Sequence, residues 1–239
     1  MNYASSTYVE ETRIGFHFLR THTWQHHVLR VAINDLKRLA GEPLSQGGSL
    51  LDVGCGQGKS LRLLRDAFQP ARMVGLDADP HSISLSEAEA TREGIRAEFL
   101  TADCAKIPLP DASIDIVFCH QTFHHLVEQE HALAEFWRVL KPGGLLLFAE
   151  STKAYIDTWV IRWFFRHPME VQKGAEEYLD MLRKQGFVFG PQNVSFPYLW
   201  WSRSKDFGLL ERWGLRAPPP PGQREETLVN AAARKPQVL

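Results

Sequence analysis

The sequence predicts an α/β fold on a largely parallel sheet, and two observations carry that prediction. Short apolar runs (SLLDV, ARMVGLD, RAEFLTAD, IDIVFCH and GLLLFAE) recur at intervals of 20 to 30 residues, with helix-patterned stretches between them. The first run ends in the glycine-rich turn GCGQG, at the kind of strand-to-helix junction where such sheets hold ligands.

The elements follow in order. Residues 24 to 40 read as an amphipathic helix, because Leu29, Ala32, Ile33, Leu36 and Ala40 fall on one side and Arg30, Asp35, Lys37 and Arg38 on the other. The five runs then supply five strands. Leu61, Leu64 and Phe68 form the apolar stripe of one intervening helix. Ala132, Phe136, Val139 and Leu140 form another, ended by LKPGG before the fifth strand. Beyond Glu150 come an aromatic segment, a helix near Ala175 to Gln185, a strand around Gln192 to Pro197, an excursion through Pro218 to Pro221, and a last strand at Thr227 to Ala233.

Composition bounds the function. The 27 Lys and Arg residues balance 28 Asp and Glu, a net charge of -1, so neither nucleic acid nor an anionic membrane is an expected partner. Glu10 and Glu11 stand where a secretory signal needs an apolar run, so no export signal is expected. The most lipid-like stretch, TWVIRWFF, is too short to span a bilayer and is broken by Arg162. Cys55, Cys104 and Cys119 are an odd, widely spaced set without a CxxC pair, which fits a reducing, cytoplasmic setting.

The loop GCGQGKS looks at first like a phosphate cradle. A Walker A loop requires a glycine five residues before Gly58, where Val53 stands; a dinucleotide fingerprint requires a third glycine at position 59, where Lys59 stands. Neither motif is met. Lys59 and Ser60 are then expected to face solvent or to cap the first helix.

What remains, Asp52 at a strand end followed by GxGxG, resembles the class I S-adenosylmethionine-dependent methyltransferases. MVGLDAD, AEFLTADCAKIPLP, IDIVFCHQTFHHL and LKPGGLLLFAE extend the resemblance in the family's order, over roughly Ser49 to Glu150. It implies a Rossmann-like doubly wound sheet of seven strands, mostly parallel with the last antiparallel, and helices on both faces. It also implies S-adenosylmethionine as cofactor and S-adenosylhomocysteine as product. Asp52 would support the ammonium side, and Gly54, Cys55 and Gly56 would line the methionine part. Asp77 would accept the ribose hydroxyls. Asp103 would accept from the adenine amino group, beside the Cys104 amide and with Ala78 under the ring. EEYLDMLRKQGF and ETLVNAAARKP resemble the small-molecule branch related to quinone-biosynthesis C-methyltransferases, but that branch's signatures are absent around His120 to Leu126, so its substrate does not carry over.

On this reading 1–239 is one methyltransferase domain: a helical cap over 1–46, a cofactor-binding core over 47–151, and substrate-lid segments at 152–172 and 198–225. Methyl transfer needs a base only when the acceptor arrives protonated. His124 and His120, just after the fourth strand, are the candidate bases. The competing reading makes His120 a cofactor contact and packs His125 on the following helix. His22, His26 and His27 in HTWQHH have a possible metal-ligand spacing but no third partner, and no metal is expected. Tyr155, Trp159 and Trp163, with Trp200, Phe16 and Trp24, are expected to roof a pocket for an apolar or aromatic small-molecule acceptor. Ordinary core or a homodimer face is the alternative for these aromatics. Two other functions fit the motifs: a catalytically silent cofactor-binding regulator, and a nicotinamide oxidoreductase, which Lys59 and Asp103 disfavour.

Overall fold

The computed structural model describes residues 12–41, 47–198 and 209–237. Seven strands form one sheet: β1 (Ser49–Val53), β2 (Arg72–Asp77), β3 (Glu98–Thr101), β4 (Ile114–His120), β5 (Leu140–Ser151), β6 (Val194–Ser195) and β7 (Leu228–Arg234), in the order β3-β2-β1-β4-β5-β7-β6. β1 to β5 are mutually parallel where they pair, and β7 runs antiparallel to β5 and β6. The chain leaves β1 for β2 on one side and returns to β4 on the other. That reversal opens a crevice at the carboxyl edge, above Val53 and Cys119.

Burial on both faces explains the unbroken apolar runs. Every residue of β1 is buried, with Leu51 and Val53 in one core and Leu50 in the other. The first core packs Phe123, Phe148 and Tyr178 against the helices Gln129–Val139 and Ala175–Lys184. The second packs Phe118 and Leu147 against the helices Arg30–Ala40 and Leu61–Phe68.

Three boundaries differ from the sequence reading. The first long helical stretch starts at His22 and passes through a π-helical turn, Gln25–Leu29, before the α-helix Arg30–Ala40. Asp35 fastens that helix to the far sheet edge, accepting from Ser195 Oγ and from Asn230 Nδ2 at 2.9 Å. The helix Gln129–Val139 stops one residue early, because Leu140 already pairs with Ile114 and Lys141-Pro142-Gly143-Gly144 belong to β5. The sixth strand shrinks to Val194–Ser195, preceded by a 3-10 turn at Pro191–Asn193.

Candidate functional site

The site grows from the turn after β1. Gly54, Gly56 and Gly58 all have positive φ, which glycine adopts without penalty. Gly54 is the most constrained of them: at φ +69°, a Cβ there would lie 2.2 Å from Thr122 Oγ1 and 2.3 Å from Thr122 Cγ2. The turn and the β4 exit loop are therefore wedged together with no room for a side chain. Gly54→Ala is expected to destabilise the protein by about 3 kcal/mol. A thermal-melt double-mutant cycle with Thr122→Gly should recover the steric part and leave the φ strain, and an independent, additive pair would refute the wedge.

The amides of Gly54 and Cys55 both donate to the Leu76 carbonyl, at 2.7 and 3.0 Å, so the turn leans onto the end of β2. There Asp77 Oδ2 accepts from Gly56 N at 2.9 Å, and Oδ1 accepts from Asp79 N at 3.0 Å. Each carboxylate oxygen keeps acceptor capacity for a further donor. Asp103, beyond β3, accepts from Ala105 N at 2.8 Å.

Two adjoining cavities open at this edge. One, of about 600 Å³, is bordered by Asp77, Ala78, Asp103, Cys104 and Phe16; the other, of about 90 Å³, by Asp52, Cys55, His120 and Trp24. Gly54 and Gly56 border both. All nine residues expected to hold a cofactor thus meet around one crevice, including the three carboxylates from successive strand ends.

The electrostatics suit a cationic guest. Asp52 is buried and its carboxyl is pushed up to about 7, chiefly by burial, with Ser60 Oγ donating to it and Asp77 adding repulsion. Burial also raises Asp77, against the pull of its backbone donors. A positive charge entering beside Asp52 would offset part of the desolvation that holds it up. His120 is pushed down to about 4 by burial and is a neutral imidazole near pH 7, set against the Trp24 ring at 5.6 Å. Burial raises the thiols of Cys55 and Cys104, so both are packing groups rather than nucleophiles.

Several expectations need correction. Ser60 neither faces solvent nor caps its helix; it is buried against Asp52, and Lys59 pairs with Glu89 at 2.9 Å. His124 borders neither cavity: it is buried, with Nδ1 2.6 Å from Glu150 Oε2, whereas its neighbour His125 lines the larger one. Trp159 and Trp163 are 54% and 80% exposed, edge to face with each other, and do not roof the crevice or join the core. Tyr155 is half-buried and borders neither cavity. Trp200 and most of the excursion at 198–208 lie outside the described residues.

Two cavity-lining residues escape sequence reasoning. Gln57 reaches from the glycine turn to the Phe16 carbonyl at 2.9 Å and so ties the N-terminal segment over the crevice. Gln121 sits at φ +53°, a strained conformation for a non-glycine residue, and is held by Ser151 Oγ at 2.5 Å. Gln57 stands inside the conspicuous loop, and its polarity was the available signal. Nothing local marks Gln121.

Residues 51–148 match the family model described as "Methyltransferase domain". Residues 51–148 carry a methyltransferase domain, similar to those of S-adenosylmethionine-dependent methyltransferases. The methyltransferase domain is 32% identical over 120 residues to a demethylmenaquinone methyltransferase of Deinococcus radiodurans, covering 49% of this chain and 50% of that protein. It is 33% identical over 116 residues to a 27-O-demethylrifamycin SV methyltransferase of Amycolatopsis mediterranei, covering 47% and 42%. The matched region thus spans half or less of these relatives. A solved S-adenosylmethionine-dependent methyltransferase from Aquifex aeolicus superposes with a TM-score of 0.64 over 92% of this chain and 96% of its own, at 20% identity, which speaks to the fold. No helix among the described residues is long and apolar enough to cross a membrane.

Proposed function

We propose that this protein transfers a methyl group from S-adenosylmethionine to a small apolar or aromatic metabolite. The observation that carries the reading is the convergence of Asp52 and Asp77, near the ends of β1 and β2, and Asp103, just beyond β3, on adjoining cavities that share the glycines of one turn. The residues fit the cofactor, since Gly54 and Gly56 present backbone to both cavities and two of the carboxyls are raised by burial, so that a donor or a cation beside them would be favoured. The cofactor, when bound, supplies a methyl carbon activated by positive sulfur.

Each group then has a proposed task. Asp77 takes the ribose hydroxyls, and Asp103 with the Cys104 amide takes the adenine edge over Ala78. Gly54, Cys55 and Gly56 let backbone approach the amino-acid part, while Asp52 meets its ammonium side. Phe16 and Trp24 support a cap role for the N-terminal segment, excluding water so that alignment governs the rate. His120, as a neutral ring beside Trp24, is suited to contact the reacting groups, while the burial that keeps it neutral opposes its taking up a proton; Glu150 and burial leave His124 behind that front. Near-balanced charge supports a metabolite rather than nucleic acid as acceptor, and the three buried free thiols suit a cytoplasmic setting.

Transfer of labelled methyl groups to a metabolite library tests the activity. For the cofactor site, Asp77→Ala is expected to weaken S-adenosylhomocysteine binding about 30-fold or more, the loss of two hydrogen bonds to a charged acceptor. Calorimetry on folded protein checks this, with Asp77→Asn falling between; unchanged affinity would contradict the ribose role.

A further inference from the structure

Behind the crevice, the fold gathers three imidazoles that the proposed transfer leaves unused. His124 and His125 stand on the 3-10 turn Phe123–His125 after β4, and His167 comes from the loop that follows the helix Trp159–Phe164. Their rings lie 4.4 to 5.1 Å apart, and one nitrogen from each lies within 4.8 Å of the others. The backbone holds the group together: Gln172 Nε2 donates to the His124 carbonyl at 2.7 Å and to the Pro168 carbonyl at 2.9 Å, pinning the His167 loop onto the turn.

We propose that His124, His125 and His167 form a binding site for a divalent transition ion of the zinc type, with Glu150 as the outer carboxylate behind His124. The supporting chemistry is that of imidazole sites. Three neutral nitrogen donors suit Zn²⁺, Co²⁺ or Ni²⁺, and not the oxygen-seeking Mg²⁺ or Ca²⁺. Glu150 Oε2, 2.6 Å from His124 Nδ1, fixes the tautomer that presents Nε2 as a ligand and supplies a buried negative charge near the ion, as outer carboxylates do for metal-bound histidines. A tetrahedral ion with bonds of about 2.1 Å spaces its ligand atoms about 3.4 Å apart, so the nitrogens need to close by about 1.4 Å at the widest pair. Because His125 also borders the larger cavity, three protein ligands would leave the ion's open position on the crevice side.

Tag-free protein stripped with a chelator and titrated with Co²⁺ tests this without cofactor or acceptor, so its outcome is separable from that of the methyl-transfer reading. The expected result is one Co²⁺ per chain by calorimetry, with the intense visible d–d absorption of a four-coordinate site. His167→Ala should weaken binding by about 100-fold and remove that band, while Glu150→Gln weakens it by about 10-fold to 100-fold. A double variant, His22→Ala with His26→Ala, should bind as the wild type does; it controls for the other close imidazole pair, whose rings stack at 3.8 Å. Circular dichroism confirms that each variant is folded. Absence of stoichiometric binding by the wild type would overturn the site whatever the variants do. So would binding unaffected by His167→Ala or abolished by the His22 and His26 changes.

Discussion

Exchanging Asp52 for asparagine is expected to stabilise the cofactor-free protein at pH 8 while weakening cofactor binding by about one to two orders of magnitude, the loss of a buried charge partner. The two effects share one cause. Asp52 is buried at the end of β1, where its hydrogen-bond donor is a neutral hydroxyl, that of Ser60, and another carboxylate stands nearby. Its carboxyl therefore titrates at about 7, well above the ordinary range near 3.9. The sign follows from that elevation: the folded state holds the proton more tightly than the unfolded chain. The associated stability is full below pH 4 or so and is lost as pH climbs through 7.

A shift of this size corresponds to at most about 4 kcal/mol between the two limits. Asparagine never ionises, so it escapes the loss at high pH, although its amide hydrogens then need an acceptor. A net gain of about 2 kcal/mol at pH 8 is expected, a rise of roughly 4 to 8 °C in Tm for a chain of this length, and less than half of that at pH 5. The same substitution removes the charge proposed to face the cofactor's ammonium group. Wild-type affinity for S-adenosylhomocysteine should accordingly strengthen between pH 6 and 8 in a way that the variant's does not. Melts at the two pH values and calorimetry across them check both halves; a variant that melts below the wild type at pH 8 would show that the buried carboxylate is not strained. Such opposition between stability and binding is common where a site keeps an uncompensated group for its ligand.

Much of this site was legible because βα units repeat. Once SLLDV, MVGLD and EFLTAD are read as parallel strands, their terminal carboxylates must emerge at one edge, and the glycine turn marks which edge binds. What could not be read depends on the relation between distant segments. Helical spacing puts Trp159 and Trp163 on one face, but spacing does not say whether that face turns inward, and here it turns to solvent. His124 looked like a base because it follows β4, yet its orientation is set by Glu150 at the end of β5. His167 carries no motif and joins His124 and His125 only through the folding back of the loop that Gln172 anchors. Even the boundary at Leu140 was decided by pairing with Ile114, which overrode the helix-ending look of Pro-Gly-Gly.

Glu150→Ala is expected to cost about 3 to 5 kcal/mol of stability, the range for stripping one partner from a buried charged network. Glu150 is as inaccessible as Asp52, yet its carboxyl is held below the ordinary value, although burial alone would raise it. The difference lies in the donors. Oε1 accepts from Thr122 N at 3.0 Å and Phe123 N at 2.9 Å, and Oε2 meets His124 Nδ1 at 2.6 Å. Alanine would leave those donors buried without their acceptor and would free the very loop whose Thr122 is wedged against Gly54. A drop of roughly 10 °C in Tm or more at pH 7 is expected, with Glu150→Gln closer to wild type because its amide oxygen can still accept. The pH dependence runs opposite to that of Asp52. Stability supplied by a depressed carboxyl is present above the ordinary range and vanishes as pH falls through the folded value, so acid melts of the wild type should steepen below pH 4 while those of Glu150→Ala flatten. If Glu150→Ala melted within about 1 kcal/mol of the wild type, water would have to be serving these donors and the Cys119 thiol, which also points at Oε1 from 3.5 Å, and the β5 carboxylate would lose its place as the anchor of the β4 exit loop.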